Sequence, residues 1–337
     1  MLALALTGGD PAGIGPEITL ASWLGRDPAD PPFFVLTDPD FLRRRADLLG
    51  LDVPIRETTP EGAAAIFGRA LPVVPLAVAV AVEPGQPDPA SAAGTIASIE
   101  GAVALTRARR AAAVVTNPIA KHVLYGAGFA HPGHTEFLAA LAASPGEAAP
   151  RPVMMLWCPA LAVVPVTVHI PLAAVPRTLT EELVVETARI VARDLASRFG
   201  IPRPRLALAG LNPHAGEAGT MGLEDRDVIA PAVARLLADG IDAAGPYPAD
   251  TLFHARARTG YDAVLAMYHD QALIPIKTLA FDEAVNVTLG LPFVRTSPDH
   301  GTAFDLAGTG RADPSSLAAA LHLAARLARA EAEAAAA

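Results

Sequence analysis

The stretch LALALTGGDPAGIGPEITLASWLGR, residues 2–26, contains the structural unit that recurs along the whole chain. Residues 2–7 form a short apolar run, which predicts a strand, and residues 16–26 after a glycine-rich turn predict a helix. Strands that are buried on both faces are continuous apolar runs, and strands that alternate with helices are typical of parallel sheets with crossover connections. This stretch therefore predicts an α/β fold.

The same order of apolar run, polar loop and helix continues along the rest of the chain. Further strands are predicted at residues 33–37, 112–116, 161–168, 205–211, 262–267 and 284–288. Further helices are predicted at residues 91–110, 134–143, 179–199, 224–238 and 315–334. The alternation predicts a mainly parallel sheet.

The composition excludes several classes of protein. The formal net charge of −9 disfavours a nucleic-acid-binding protein, which would be basic. The single cysteine, Cys158, excludes an internal disulfide and a cysteine-rich zinc site. The apolar run at 71–82 falls short of the roughly 20 residues that a membrane span needs, and the first residues lack the basic start of a signal peptide. We therefore expect a cytoplasmic globular protein, and its 337 residues suggest about two domains.

Polar residues follow the ends of five predicted strands. In open α/β sheets, ligands bind beyond the carboxyl ends of the strands, so five such loops predict one site built from the whole chain. The loops contain residues 7–10, 116–118, 169, 212–214 and 268–271.

Three histidines, His169, His214 and His269, lie in three of these loops. Neutral imidazole suits Zn²⁺, Co²⁺ and similar ions, and a catalytic metal site keeps one coordination position open for substrate. One interpretation is therefore that the three side chains bind one divalent metal. The other is that each is a loop histidine with its own hydrogen bonds, and the spacing of the three residues does not choose between the two.

Two aspartates belong with these histidines. Asp270 directly follows His269, and Asp250 lies in the segment GPYPADTLF. Carboxylates beside metal-binding histidines orient the imidazole rings or hold a substrate ammonium group. The alternative for Asp250 is that it caps a helix or a turn.

Lysine is scarce in the sequence, because only Lys121 and Lys277 occur among 26 basic residues. Each is therefore a candidate for a role that arginine cannot fill, since lysine readily loses its proton when buried. Lys277 lies in an otherwise apolar stretch, and Asn286 and Arg295 follow it at equal spacing. Lysine and arginine that converge on a small ligand would bind a phosphate or a carboxylate group. The alternative is that these residues are solvated at the surface, which suits Lys277 least because its surroundings are apolar.

A second anion-binding feature is GHTE, residues 133–136, which opens a predicted helix. The N-terminus of a helix presents free N–H groups and a positive potential, and both favour an anion. Thr135 is also a candidate cap of that helix.

The usual nucleotide-binding patterns are absent from the sequence. Gly13-Ile14-Gly15 is followed by Pro16, so the dinucleotide fingerprint G-x-G-x-x-G is missing, and neither lysine follows a glycine as the P-loop requires. A bound nucleotide would therefore need a different kind of loop.

Seven segments carry a resemblance to a known family. They are TGGDPAGIGPE (7–17), TNPIAK (116–121), GHTE (133–136), NPHAGE (212–217), MYHDQ (267–271), NVTLGLPFVRT (286–296) and DHGT (299–302). They resemble, in this order, the 4-hydroxythreonine-4-phosphate dehydrogenase family. The resemblance implies an isocitrate/isopropylmalate dehydrogenase-like fold, with two α/β/α domains and a cleft between them. The implied terminal domain lies on the cofactor side and is formed by residues 1–130 and 275–337. The implied central domain lies on the metal and dimer side and is formed by residues 131–274.

The resemblance also implies an activity. Family members oxidise and decarboxylate 4-phosphooxy-L-threonine to 3-amino-2-oxopropyl phosphate in the biosynthesis of pyridoxal 5′-phosphate (vitamin B6). The implied cofactors are NAD or NADP and one divalent metal per site (Zn²⁺, Mg²⁺ or Co²⁺), which polarises the substrate hydroxyl. The implied assembly is a homodimer that shares the metal site between its subunits, with no nucleic-acid or membrane partner.

The family's functional residues map onto matching positions of this sequence. The implied metal ligands are His169, His214 and His269. The implied substrate-binding residues are His134, Thr135, Lys277, Asn286 and Arg295. The implied cofactor-binding residues are Gly13, Ile14, His300, Gly301 and Thr302. The candidate catalytic residues are Lys277 and Asp270, either of which would accept the proton, and the neighbouring Asp250.

Two alternatives stay open at this point. A sister dehydrogenase of the same family, acting on 4-phospho-erythronate or 4-phospho-threonate, would use the same metal-binding and phosphate-binding residues. A phosphate acyltransferase with a similar fold would need neither NAD nor a three-histidine metal site.

Overall fold

The structure is a computed structural model, which describes residues 2–131, 133–144 and 146–336. Its contacts separate two compact units. The first comprises the described residues of Met1–Pro152 and Leu291–Arg329, and the second those of Val153–Gly290 and Ala330–Ala337. The domain boundaries expected near residues 130 and 274 stay a prediction, because a compact unit is defined by contacts and a domain by independent folding.

Strands and helices alternate along the chain, as the sequence predicts. The strands are β1 (Leu4–Thr7), β2 (Phe33–Thr37), β3 (Ile55–Glu57), β4 (Leu71–Pro75), β5 (Val114–Val115), β6 (Val153–Cys158), β7 (Leu161–Pro165), β8 (Leu206–Ala209), β9 (Ala243–Tyr247), β10 (Ala263–Ala266), β11 (Val285–Leu289) and β12 (Arg295–Pro298). The α-helices are α1 (Gly15–Leu24), α2 (Pro39–Leu48), α3 (Ala63–Ile66), α4 (Ala92–Arg107), α5 (Lys121–Gly126), α6 (His134–Ala142), α7 (Val175–Thr178), α8 (Glu181–Arg198), α9 (Ala230–Ala238), α10 (Ala255–Arg258), α11 (His269–Leu279) and α12 (Ser315–Ala336).

The sheet of the first unit is parallel, with the strand order β3-β4-β2-β1-β5-β12. Every residue of β1 and β2 is buried, as expected for strands that are covered on both faces. Helix α4 packs against both strands, and its Ser98 hydroxyl donates to the carbonyl oxygen of Leu36 at 2.7 Å and accepts from the amide of Gly8 at 2.8 Å. The core of this unit therefore holds the start of the glycine-rich turn in place.

The sheet of the second unit is mixed, with the strand order β11-β6-β7-β10-β8-β9. Strand β10 is parallel to β7 and β8, whereas β6 is antiparallel to both β7 and β11. Strand β6 was not predicted, because only two residues join it to β7 in a hairpin, and each strand was expected to be followed by a helix. The α/β fold class and a mainly parallel strand arrangement are both confirmed.

Some elements differ from the prediction in extent. The strand expected at 161–168 ends at Pro165, and the helix expected at 224–238 is a π-helical segment, Asp225–Ile229, followed by α9. Helix α11 was not predicted, because Pro275 lies inside it and proline normally ends a helix. In the described part of the chain, no helix combines the length and apolar character that spanning a membrane would require.

Candidate functional site

A buried arginine lies in the part of the first unit where anion binding is predicted. Arg295 is the first residue of β12, where it pairs with Val114 of β5, and it is only 4% exposed. Its Nη2 donates a hydrogen bond to the hydroxyl oxygen of Thr116 at 2.6 Å. Burial lowers the pKa of Arg295 to about 10, so the guanidinium group keeps its charge at neutral pH.

The N-terminus of helix α6 belongs to the same part of the unit. Gly133 occupies the cap position and His134 the first helical position, so the predicted cap at Thr135 is wrong. The Nε2 atom of His134 is buried, and among the described residues it has no hydrogen-bond partner. Burial lowers the pKa of His134 well below its ordinary value of 6.5, and the charges of Arg295 and Lys121 lower it further. The imidazole is therefore neutral beside two cations.

Lys121, the first residue of α5, approaches this helix terminus and was given no role by the sequence analysis. A Cβ atom built on Gly133 would lie 3.3 Å from Lys121 Nζ and 2.7 Å from Glu136 Oε2. A side chain at position 133 would therefore collide with Glu136 and crowd Lys121. Lys121 is one of only two lysines and ends the segment TNPIAK, and these two features were the indications in the sequence that could have identified it.

Two loops meet at the predicted cofactor-binding residues of the first unit. The Ile14 amide donates to the carbonyl oxygen of Thr302 at 3.0 Å, and a Cβ atom on Gly13 would lie 2.8 Å from that oxygen. Within the described residues, a Cβ atom on Gly301 would meet no atom within 4 Å, and His300 Nε2 is buried without a hydrogen-bond partner. The structure therefore brings these five predicted residues into two adjacent loops, with an orphaned ring nitrogen on one of them.

A buried ion pair that the sequence did not reveal holds the same loops. Arg45 Nη1 lies 3.2 Å from Glu17 Oε1, and both side chains are almost fully buried. Arg45 also donates to the carbonyl oxygens of Pro11 at 2.8 Å and Gly13 at 3.3 Å. Glu17 accepts a hydrogen bond from the Gly308 amide. The pair therefore fastens the glycine-rich turn and the loop after residue 300 to each other.

Two of the three predicted metal ligands lie together in the second unit. The ring centroids of His169 and His269 are 5.6 Å apart, and both residues line a surface cavity of about 240 Å³. The Asp270 carboxylate is 2.7 Å from His269 Nδ1. Such a contact fixes the ring orientation and leaves Nε2 available for another partner.

The third predicted ligand, His214, lies in a turn with an unusual backbone. His214, Ala215, Gly216, Glu217 and Ala218 all have φ values between 42° and 75°, in the left-handed region. Residues other than glycine adopt this region at a cost of about 1–2 kcal/mol each. Such strain persists only where surrounding contacts impose it, and it is concentrated at functional sites.

One chain alone does not assemble a complete metal site in the described residues. Among residues 2–131, 133–144 and 146–336, no three His, Cys, Asp or Glu side chains are grouped so that they would hold a metal ion. The structure thus brings His169 and His269 together, but it does not bring His214 to them within one chain.

The remaining predicted residues are spread over the second unit. Asp250 is exposed in a 3₁₀ turn, Ala249–Thr251, and Asn286 lies on β11 opposite Leu156. Lys277 lies in the last turn of α11, with its Nζ atom 5.4 Å from the ring centroid of Phe281. Their grouping with the histidines stays a prediction.

Comparison with known proteins gives one consistent result. The family model described as pyridoxal phosphate biosynthetic protein PdxA matches residues 29–324. A protein of Methylorubrum populi named 4-hydroxythreonine-4-phosphate dehydrogenase is 65% identical over 97% of this chain and 94% of its own length. The crystal structure of a 4-hydroxythreonine-4-phosphate dehydrogenase from Klebsiella pneumoniae is similar, with a TM-score of 0.87, 38% identity and coverage of 97% and 100% of the two chains. A terephthalate 1,2-cis-dihydrodioldehydrogenase from Burkholderia xenovorans is similar at 30% identity, with a TM-score of 0.65 and coverage of 96% and 97%.

Proposed function

The chain belongs to the family of pyridoxal phosphate biosynthetic protein PdxA, and on this premise we propose that it is an NAD- or NADP-dependent dehydrogenase acting on 4-phosphooxy-L-threonine. The proposed reaction oxidises the secondary alcohol of this substrate to a ketone. The resulting β-keto acid loses CO₂ and leaves 3-amino-2-oxopropyl phosphate. The observation that carries the proposal is the buried Arg295 guanidinium near the N-terminus of α6, because a phosphorylated acid requires such a permanent positive charge.

Substrate binding follows from the charges of these residues. The Arg295 guanidinium provides two parallel donors for a phosphate or carboxylate group. His134 is neutral, so it provides a hydrogen bond without a second full charge, and the free N–H groups of the first turn of α6 add further donors. Thr135 contributes its hydroxyl in the same turn. We assign Lys277 and Asn286 to the remaining polar groups of the substrate.

The donor set of the second unit fits a divalent metal. Imidazole nitrogens prefer Zn²⁺ or Co²⁺, whereas Mg²⁺ prefers oxygen ligands, so His169, His214 and His269 favour the first two ions. When bound, such an ion supplies a positive charge that polarises the substrate hydroxyl. Asp270 holds the His269 ring in the orientation in which Nε2 faces away from the carboxylate.

The loops of the first unit fit a dinucleotide, which supplies hydride-accepting chemistry when bound. Gly13 and Ile14 on one loop, and His300, Gly301 and Thr302 on the other, would hold it. The space beside Gly301 and the orphaned Nε2 of His300 are compatible with a polar ligand at this position. These loops differ from the Rossmann turn, and this agrees with the absence of the G-x-G-x-x-G fingerprint from the sequence.

Proton transfer is assigned to Lys277. Asp270 is already engaged with His269 Nδ1, which makes it an orienting group, whereas the Lys277 amine accepts the hydroxyl proton. Asp250 is proposed to contact the substrate ammonium group, since it is an exposed carboxylate in the second unit.

We further propose a homodimer in which the metal site is shared. The absence of a three-residue metal group within the described part of one chain supports this arrangement. His169 and His269 would come from one subunit and His214 from the other.

The test is an assay of NADH formation with 4-phosphooxy-L-threonine, 4-phospho-erythronate and 4-phospho-threonate, before and after chelation. Highest turnover with the first substrate, lost on chelation and restored by Zn²⁺ or Co²⁺, is the expected outcome. Preference for either sugar acid would instead assign the chain to a sister activity. Chelator-resistant acyl transfer to phosphate without NADH formation would identify an acyltransferase and reject the proposal.

A further inference from the structure

Asp225 is a buried carboxylate next to the left-handed turn that carries His214. It is 1% exposed and lies at the start of the π-helical segment before α9. Its Oδ1 accepts a hydrogen bond from the Leu211 amide at 2.8 Å. Its Oδ2 accepts from the Asn212 amide at 3.2 Å and from Asn212 Nδ2 at 2.9 Å. Both oxygens of Asp225 are therefore bound to the residues that lead into the turn.

The backbone around this carboxylate leaves no spare room. A Cβ atom on Gly210 would lie 2.7 Å from Asp225 Oδ1, and one on Gly216 would lie 3.1 Å from Oδ2. Gly216 is itself part of the turn, with a φ of 75°. The carboxylate is thus enclosed by the strand end on one side and by the turn on the other.

The same loop is also tied to the helix that carries His269. Gln271 of α11 donates from Nε2 to the Gly210 carbonyl oxygen at 2.7 Å, and its Oε1 accepts from the Met267 amide at 2.6 Å. Because Met267 lies two residues before His269, these bonds join the start of α11 to the entrance of the His214 turn. The Asp225 contacts then continue this network to Leu211 and Asn212, which precede the turn.

We propose that Asp225 is the positioning residue that holds the left-handed turn and thereby sets the location of the His214 imidazole for metal binding. The inference rests on the proposed function, since it takes His214 as a metal ligand. Metal–nitrogen bonds tolerate only a few tenths of an ångström, so a strained turn binds metal well only while its surroundings impose its shape.

The first test is Asp225→Asn, with Asp194→Asn as the matched control. Asparagine is nearly isosteric, but its amide nitrogen would face N–H donors where Asp225 presents an acceptor. Asp194 is also buried in the second unit, accepts from the Gly290 amide at 2.7 Å and pairs with Arg198. Both variants therefore disturb a buried carboxylate, but only Asp225→Asn disturbs the turn.

The second test is Gly216→Ala, with Gly240→Ala as its control. Both glycines have positive φ values, of 75° and 81°, so both substitutions cost similar backbone strain. Alanine at 216 pushes on Asp225, whereas among the described residues a Cβ atom at 240 would meet nothing within 4 Å.

Two measurements decide the proposal, namely the dissociation constant for Co²⁺, read from its visible absorption, and hydrogen exchange of the Leu211 and Asn212 amides without metal. We expect Asp225→Asn and Gly216→Ala to weaken Co²⁺ binding about tenfold or more and to accelerate exchange, while the controls stay near the parent. If Asp225→Asn does not fold, Gly216→Ala alone decides. The proposal would be overturned if Asp225→Asn or Gly216→Ala folds and binds Co²⁺ as tightly as the parent. It would also be overturned if the two controls lose as much Co²⁺ affinity as these variants. A parent protein whose Co²⁺ binding does not depend on His214 would instead reject the proposed metal site.

Discussion

Burial lowers the pKa of two basic side chains near helix α6, and the two differ in charge at neutral pH. Arg295 retains its charge with a pKa of about 10, whereas the pKa of His134 is lowered far enough to keep its ring neutral. The sequence identified both residue types from their segments. It did not indicate the burial that lowers both pKa values, because burial depends on strands and helices that are distant along the chain.

The depressed pKa of His134 makes the stability of the fold depend on pH. Below its ordinary pKa of 6.5, the unfolded chain binds a proton at this residue and the folded chain does not. The stability contributed by neutral His134 is therefore complete above about pH 6.5. It is lost as the pH falls from there toward the lowered pKa of His134 in the folded protein. Both proteins should lose unfolding free energy when the pH is lowered from about 7.5 to about 5.5. We expect this loss to be about 1 kcal/mol smaller in His134→Gln than in the parent.

Urea unfolding of the parent and of His134→Gln at the two pH values measures this difference. The other eight histidines are common to both proteins, so their titration cancels in the comparison. Equal losses of stability in the two proteins would show that the His134 ring is not held neutral.

Lys277→Arg separates charge from proton transfer at the proposed base. Arginine keeps the positive charge but does not give up its proton at neutral pH, so we expect kcat to fall about 100-fold or more. The KM for the phosphorylated substrate should change much less, because the proposed phosphate-binding residues, Arg295 and the first turn of α6, are unchanged. Steady-state NADH formation gives both constants. Turnover equal to that of the parent would exclude Lys277 as the proton acceptor.

At the scale of the elements, continuous apolar runs predicted strands such as β1 and β2, but β6 is also apolar and was missed, because it forms a hairpin with β7 instead of preceding a helix. Strands β1 and β2 are fully buried and were predicted, whereas α11 contains Pro275 and was not. The left-handed turn after Asn212 was not predicted either. Alanine and glutamate do not favour positive φ, so no local pattern indicates a conformation that Asp225 imposes from the next element.

Glu17 of helix α1 and Arg45 of helix α2 form a buried ion pair. Substitutions of this pair measure what an unpaired buried charge costs in stability. Arg45→Met leaves the Glu17 carboxylate buried without its cation, so we expect a loss of about 3–5 kcal/mol in unfolding free energy. The double variant Glu17→Leu/Arg45→Met removes both charges and should lose less than Arg45→Met alone. The exposed pair of Asp40 and Arg43 provides the control, since Asp40→Asn should cost less than about 1 kcal/mol. Urea unfolding followed by tryptophan fluorescence gives the values, and a double variant that loses as much as Arg45→Met or more would contradict the expectation.

At the scale of the whole molecule, the sequence supplied the parts of the site but not their assembly. Polar residues lie just after five strands, as expected, but residues 269–271 form the first turn of α11 and not a loop. The family model matches the chain that carries these segments. Which loops touch depends on the sheet order and on contacts such as the bond from Gln271 to Gly210, which join positions far apart in sequence. The proposed shared metal site also requires a second subunit, and the sequence pattern of one chain does not indicate where that subunit lies.

Mixing two inactive variants tests that shared site. If His169 and His269 come from one subunit and His214 from the other, then His214→Ala and His269→Ala each destroy both sites of a homodimer. A mixed dimer instead has one site with both lesions and one intact site. Random reassortment makes about half of the dimers mixed, so co-refolding should restore about a quarter of the parent activity. Light scattering gives the mass, which should be about twice the 34.7 kDa of the chain. If a dimer of that mass forms and exchanges its subunits but shows no recovery, the two histidines come from the same chain, because each mixed dimer would then contain two damaged sites.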